Sequence, residues 1–452
     1  MTDRDQPPAI RLHLAAGLDR ALAWDGGGSV RYLVAELTAE GAPAGAAPVR
    51  AAPPALNLAL AIDVSGSMRG PKIAAARDAA LALAAALTPR DRLSIVTFDS
   101  HTRLLLDARA MDEAGRAAAR TAIAGIAAGG QTNLFDGWLL AAERVACAMD
   151  ALPDASHRVL LLSDGQANEG LTDRIEIARH AGALLERRVI TSALGIGDGY
   201  DEDLLGAIVE AGGGNLHDAA EAGEIGEVVL GDLHEGRAIL VERVRLRVRV
   251  PANLRAEVVG AWGHHALAGL LDIVAGSLLP DQTKRIVIRL HCPSGAAGMP
   301  ILLGVSAGGA VAEGEAQVEA RPVEVALHLA GEAENGPQPR DAARSLAVVE
   351  AWQADALGRA VQMNRDGDTQ AARRWLDSEG EWLASYARGV PGAAPLLAEF
   401  ELMRARIVRR LDARVTKDVS LFLRKRLRSE RELRHAAAPS LAERLAPRPG
   451  RR

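Results

Sequence analysis

Residues 56–68 read LNLALAIDVSGSM, and this stretch decides the fold. Its first eight residues are an apolar run broken by Asn57, the texture of a strand buried on both faces of a parallel sheet. The run ends on Asp63, and small polar residues follow at once. Outward from it, strand and helix patterns alternate. An Ala-rich helical stretch covers 71–87, strand patterns cover 92–98 and 103–107, and helical patterns cover 112–127 and 134–150. RVLLLSDG (158–165) is a second buried-strand run, followed by a helix at 172–187, a strand at 188–196 and helices at 201–211 and 221–236. Such alternation implies βαβ units, hence an α/β fold with a doubly wound, mostly parallel sheet. This unit is expected to span 56–236.

The flanks have a different texture. LVERVRLRVRV (240–250) alternates apolar and basic residues with period two, as a half-exposed antiparallel strand does. Further strands are expected at 254–260, 284–291, 300–306, 310–319 and 322–329, so 237–330 reads as an accessory β-sandwich. Two N-terminal strand patterns, 9–17 and 29–39, have no sheet of their own. Residues 1–55 are therefore expected to join that sandwich and end in an Ala/Pro-rich linker at 40–55, with the α/β unit inserted. A polar linker at 331–339 precedes a C-terminal helical domain at 340–436, whose segments 341–364 and 369–388 flank the turn RDGD. The linker suggests that the helices form a separable unit. Residues 437–452 read as a basic, disordered tail.

Composition narrows the function classes. Hydrophobic residues are 48% and charged residues 25%, which suits a packed globular chain. Aromatics are only 3%, too few for a stacking platform on single-stranded nucleic acid. The two cysteines, Cys147 and Cys292, make neither a disulfide framework nor a cysteine zinc site. Cys147 is expected in the core. No apolar run reaches membrane-span length, and the start MTDRDQPPAIRLHL lacks an apolar signal core; a cytoplasmic location is expected. The net charge of −5 hides an asymmetry: residues 401–452 carry 16 Lys+Arg against 6 Asp+Glu, the other 400 carry 37 against 52. A basic tail on an acidic body can touch nucleic acid, an acidic membrane or an acidic partner; the favoured reading is a solvated helix ending in a frayed arm.

Three segments carry chemistry. IDVSGSM offers Asp63, Ser65 and Ser67 just past a buried strand; GGQTNLFDG offers Thr132 in a loop opening a helix; LLLSDGQANEG offers Asp164 at another strand end. Ligands of open α/β sheets bind outside the carboxyl ends of the strands, and all three segments belong at that edge. Gly66, Gly129 and Gly130 are expected to let the loops bend and approach. Two carboxylates and three hydroxyls make a set of oxygen donors that suits a hard cation: Mg2+ foremost, with Mn2+ or Ca2+ also suited. Few anionic ligands would leave the ion electron-poor and receptive to a carboxylate from outside. Each segment has a plainer reading, as a helix N-cap or a turn; Asp136 reads as a first-turn helix acid, and Asn168 and Glu169 as solvated loop residues.

At these residues the sequence resembles the von Willebrand factor type A domain, a Rossmann-like fold whose metal-ion-dependent adhesion site, MIDAS, is built from D-x-S-x-S, a later threonine and an aspartate in a D-G segment. Asp63, Ser65, Ser67, Thr132 and Asp164 fill those positions in order. The resemblance covers about 56–236 and implies that a partner's exposed Asp or Glu completes the ion's coordination. The flanking strands and helices also resemble bacterial proteins described as type A domain or Ca-activated-channel-like.

The function implied is that of a metal-dependent protein-binding adaptor or scaffold, not an enzyme. An alternative is a non-catalytic regulatory subunit of an AAA+ ATPase or chelatase-type system. A phosphoaspartyl hydrolase fits less well: Ser65 stands where a second Asp is usual, and no Lys is evidently placed. A serine nucleophile would need His101 or His157, whose spacing supports neither. No P-loop is present. An RNA-binding helical ring would need more helices than 340–436 provides. His264-His265 lies in a turn-like stretch without the company a zinc site needs.

Overall fold

A computed structural model describes residues 10–41, 54–164, 168–260, 262–267, 269–312, 316–428 and 440–445. Most of the expected linker at 40–55, Gly165 and most of the tail lie outside these residues.

The central sheet has six strands in the order Thr102–Ala110, Arg92–Phe98, Leu56–Asp63, Ser156–Ser163, Val189–Ile196, Gly213–Ala219. All neighbours are parallel except Thr102–Ala110, which pairs antiparallel with Arg92–Phe98. Every residue of Leu56–Asp63, Ser156–Ser163 and Val189–Ile196 is buried, as the unbroken apolar runs require. The helices Pro71–Ala86 and Ile225–Ala238 share one apolar cluster with one face, built on Leu58, Leu60 and Ile62. Leu134–Cys147, Arg174–Glu186 and Glu202–Gly212 share another with Ala59, Ala61 and Val96 on the opposite face. Each fully buried Leu or Ile contributes roughly 1.5–3 kcal/mol. After Leu56–Asp63 the chain goes first to one side of that strand and later to the other. The strand order therefore reverses at Asp63, and such a reversal opens a crevice at the strand's carboxyl end.

Around this unit lie two further sheets. One has four strands, in the order Arg11–Leu18, Val30–Glu40, Thr283–His291, Arg255–Val258. The other runs His264–Leu267, Leu270–Leu278, Val241–Arg249, Pro300–Val311, Val323–Ala330, Leu22–Trp24, with Gln317–Glu319 pairing Pro300–Val311. Their inner faces share a single core. Val30–Glu40 pairs with Thr283–His291, so the sandwich is assembled from both sides of the α/β unit.

Several strands differ from the sequence expectation. Gly213–Ala219 (GGNLHDA) is a sixth central strand that its glycines and polar residues conceal; His217 is buried there against Asp232 at 2.8 Å. Leu270–Leu278 and His264–Leu267 form an unexpected hairpin, with His264-His265 on an exposed edge strand. The expected break between 306 and 310 is absent, because Pro300–Val311 is one strand, in which a Cβ at Gly309 would lie 2.8 Å from the Glu242 carbonyl oxygen of the neighbouring strand.

The C-terminal helices are Ala342–Arg365, Thr369–Ala387, Ala394–Arg406 and Ala413–Arg428. They cover the outer face of the four-stranded sheet, where Tyr32, Val34, Val259 and Val287 join their core. Leu421, on the last of them, is instead buried with Trp138 and Tyr200 of the α/β unit. Arg414 pairs with buried Asp218 and Asp418, and Arg365 pairs with Glu202 and Asp203. Packing of this kind disfavours the separable helical unit expected from the linker. That linker is itself anchored: it contains a helical turn, Glu332–Asn335, and Gln338 accepts from the Leu22 amide at 2.8 Å. Residues 440–445, expected in the disordered tail, include a helical turn whose Leu441 and Leu445 are buried in the helical core.

Candidate metal-binding site

Three loops converge at the carboxyl ends of the central strands. Asp63, the last residue of its strand, is fully buried. Its Oδ1 accepts from the Ser65 amide at 2.8 Å and its Oδ2 from the Ser163 hydroxyl at 2.7 Å. Burial pushes its carboxyl above the usual carboxylate range; the bonds from Ser65 and Ser163 pull the other way, and the Asp164 charge adds to the rise. A nearby cation would relieve that cost.

Ser65 stands at the N-cap position of the short Gly66–Met68 turn, but its side chain does not cap it. The Ser65 and Ser67 hydroxyls lie 3.0 Å apart, and Ser67 donates to Asp164 Oδ1 at 2.7 Å. The Lys72 ammonium pairs with Asp164 Oδ2. Asp63, Ser65, Ser67 and Asp164 thus form a connected cluster, with a positive charge already resting on one side of it.

The structure brings Thr132 alongside through its backbone. Gly129 donates to the Val64 carbonyl at 2.6 Å and Gly66 to the Gly130 carbonyl at 3.0 Å, stitching the two loops together. The Thr132 amide donates to Asn168 Oδ1 at 3.0 Å, and its carbonyl accepts from the Asn168 and Glu169 amides at 3.2 and 3.3 Å. Gly130 has φ +79°, and a Cβ there would sit 3.0 Å from the Cβ of Asp99. The loop needs glycine at that position. Gly66 has no such requirement, and the left-handed backbone after the turn belongs to Gly70, φ +83°.

The donors are mainly hydroxyls. Among the described residues, no group of three or more His, Cys, Asp or Glu side chains could hold a metal ion. A set with only two carboxylates fits a hard, oxygen-seeking cation that keeps water ligands, and the Lys72 ammonium lies at its edge.

Three residues of the cluster escaped the sequence reading. In the sequence Ser163 belongs to an apolar run, Lys72 reads as a helix residue and Asn168 as solvated loop. The signal for Lys72 was its position in the first turn of the helix that follows D-x-S-x-S. Asp136 lies in the first turn of its helix, as expected, and accepts from the Asn133 side chain at 2.7 Å. His157 is buried at the opposite, amino end of its strand, 3.1 Å from Asn57. The exposed His101 ring lies 3.9 Å from Asp99. Cys147 is exposed, contrary to expectation: the buried face of its helix runs through Trp138, Ala141, Ala142 and Val145, and Cys147 lies on the opposite side.

Comparison with known proteins settles the family of this unit. The sequence model for the von Willebrand factor type A domain matches residues 57–229. The chain carries a type A domain. The uncharacterized protein sll0103 of Synechocystis sp. is 31% identical over 162 residues, 36% of this chain and 37% of that relative. Inter-alpha-trypsin inhibitor heavy chain H1 of Homo sapiens is 29% identical over 153 residues, 33% of this chain and 17% of the relative. The likeness to both is thus confined to a minor part of each protein. Two solved structures extend the fold likeness beyond the type A domain. A von Willebrand factor type A protein from Catenulispora acidiphila superposes with a TM-score of 0.66 at 18% identity, covering 89% of this chain and 91% of its own. The ArnB paralog VWA2 from Sulfolobus acidocaldarius gives 0.59 at 16% identity, covering 92% and 97%. Among the described residues, no helix is long and apolar enough to cross a membrane.

Proposed function

We propose that this protein is a metal-dependent protein-binding adaptor. Its type A domain holds one divalent cation, Mg2+ by donor chemistry, through Asp63, Ser65, Ser67, Thr132 and Asp164. An exposed Asp or Glu of a protein partner then completes the ion's shell. The observation that carries this reading is the hydrogen-bonded cluster of Asp63, Ser65, Ser67 and Asp164 at the point where the strand order reverses. Type A domains commonly act in this way, and the same cluster argues against the phosphoaspartyl alternative. That alternative calls for a second Asp two residues after the nucleophile, and here Ser65 stands in that place with its hydroxyl 3.0 Å from that of Ser67. The reading includes a cytoplasmic, non-enzymatic role.

Immobilised full-length chain tests it. Proteins retained in Mg2+ should be released by a chelator and should fail to bind a Thr132→Ala column. Retention that ignores both chelator and Thr132→Ala but collapses in moderate salt would assign binding to the basic C-terminal region instead.

A further inference from the structure

We propose that Lys72 sets the net charge of the type A site, weakening its hold on the ion and strengthening its attraction for an incoming carboxylate. The inference rests on the metal reading above.

Lys72 occupies an unfavourable place for a cation. It is the second residue of Pro71–Ala86, a helix with no acidic residue in its first turn. The N-terminal end of a helix carries partial positive charge and disfavours a lysine. What compensates is the ion pair with Asp164, whose side chain is fully buried, while that of Lys72 stays 32% exposed. The pair also sits against a wall shaped for it. A Cβ at Gly197, φ +70°, would lie 3.4 Å from Lys72 Cε, and one at Gly199 would lie 2.9 Å from the Asp164 carbonyl oxygen. Arg414 donates to the Gly197 carbonyl at 3.4 Å from the far side, and Lys417 donates to the Tyr200 carbonyl. The C-terminal helix thereby braces the loop on which Lys72 rests.

The charge count gives this placement its consequence. Asp63 and Asp164 present two negative charges, and Lys72 cancels one without using a hydroxyl of the site. Its ammonium engages Asp164 Oδ2, while Ser67 engages Oδ1. A divalent cation in the site would then keep a formal excess of one positive charge. With a neutral residue at 72 that excess would vanish. Lys72 should therefore push the two affinities in opposite directions, for ion and for carboxylate.

Full-length wild type, Lys72→Met and Lys72→Arg, stripped of metal, should be titrated with Mn2+ and read by electron paramagnetic resonance. Each Mn2+-loaded protein should then be titrated with 13C-acetate, read by paramagnetic relaxation. Lys72→Met should bind Mn2+ about tenfold more tightly and acetate about tenfold more weakly, and Lys72→Arg should resemble wild type. If Lys72→Met weakens both affinities, Lys72 is a positioning residue for Asp164 and the proposal is wrong; it is equally wrong if neither affinity moves. A wild type that takes up no Mn2+ would overturn the underlying metal reading as well. Matching thermal midpoints for wild type and Lys72→Arg show that the fold survives exchange at this position; a Lys72→Met chain that unfolds is replaced by Lys72→Gln, for which the same opposite shifts are expected.

Discussion

The Ser67 hydroxyl donates to Asp164 Oδ1 at 2.7 Å, joining residues 97 positions apart in the chain. This bond ties the loop after one buried strand to the end of its neighbour. Ser67 has a lone pair left for an ion while its proton points to Asp164. Replacing Ser67 by Ala should weaken Mg2+ binding about 10–100-fold and cost only about 1 kcal/mol of stability. Calorimetric titration and urea unfolding check the two halves. A variant that keeps its Mg2+ affinity would remove Ser67 from the site.

Arg414 and Asp218 are both buried, and their pairing fastens the last long helix to the type A domain. Arg414→Met takes the guanidinium away from the buried Asp218 carboxylate and should cost about 3–5 kcal/mol. The double variant Arg414→Met with Asp218→Asn should recover much of that loss. Urea unfolding of wild type, Arg414→Met, Asp218→Asn and the double variant gives the coupling directly, and a loss below about 1 kcal/mol in Arg414→Met would mean that the clamp contributes little.

His157 adds a pH dependence. Burial lowers its pKa to about 4, and the charges of Arg188 and Arg243 add to the shift. The folded protein therefore holds the ring neutral at pH values where the unfolded chain, with a pKa near 6.5, has bound a proton. The unfolded state binds more protons between those values, so stability falls as pH drops from about 6.5 to about 4, by up to roughly 3 kcal/mol. His157→Gln should flatten that part of the profile. A wild-type curve that is level from pH 7 to 5, or unaltered by the substitution, would contradict the assignment.

The helices should not fold alone. Tyr32, Val34, Val259 and Val287 supply one wall of their core, and Leu421 belongs to the core of the type A domain. A fragment of residues 340–428 should show poor amide dispersion and a non-cooperative melt. A sharp melt would restore the separable unit that the polar linker at 331–339 suggests.

What the sequence made legible follows from pattern length. LNLALAID and RVLLLSDG are long apolar runs that can only be buried strands, and the acid ending each marks the sheet edge. D-x-S-x-S and the later Thr132 and Asp164 needed no tertiary information to be found. Gly213–Ala219 was hidden because its polarity is satisfied only in the fold, where His217 meets Asp232. The Lys72 contact was hidden for the same reason: the residue reads as ordinary helix surface until the strand ending at Ser163 brings Asp164 beside it. Cys147 reads as core because its neighbours in sequence are apolar, but helix geometry turns it away from the buried face that Val145 and Ala148 share.

The central claim is that Asp63, Ser65, Ser67, Thr132 and Asp164 together hold one divalent cation. Electron paramagnetic resonance of Mn2+ added to metal-stripped full-length protein tests it most directly. Wild type should remove one equivalent of Mn2+ from the free-ion signal, Mg2+ should displace it, and Asp63→Ala should remove none. Undiminished uptake by a folded Asp63→Ala protein would contradict the account.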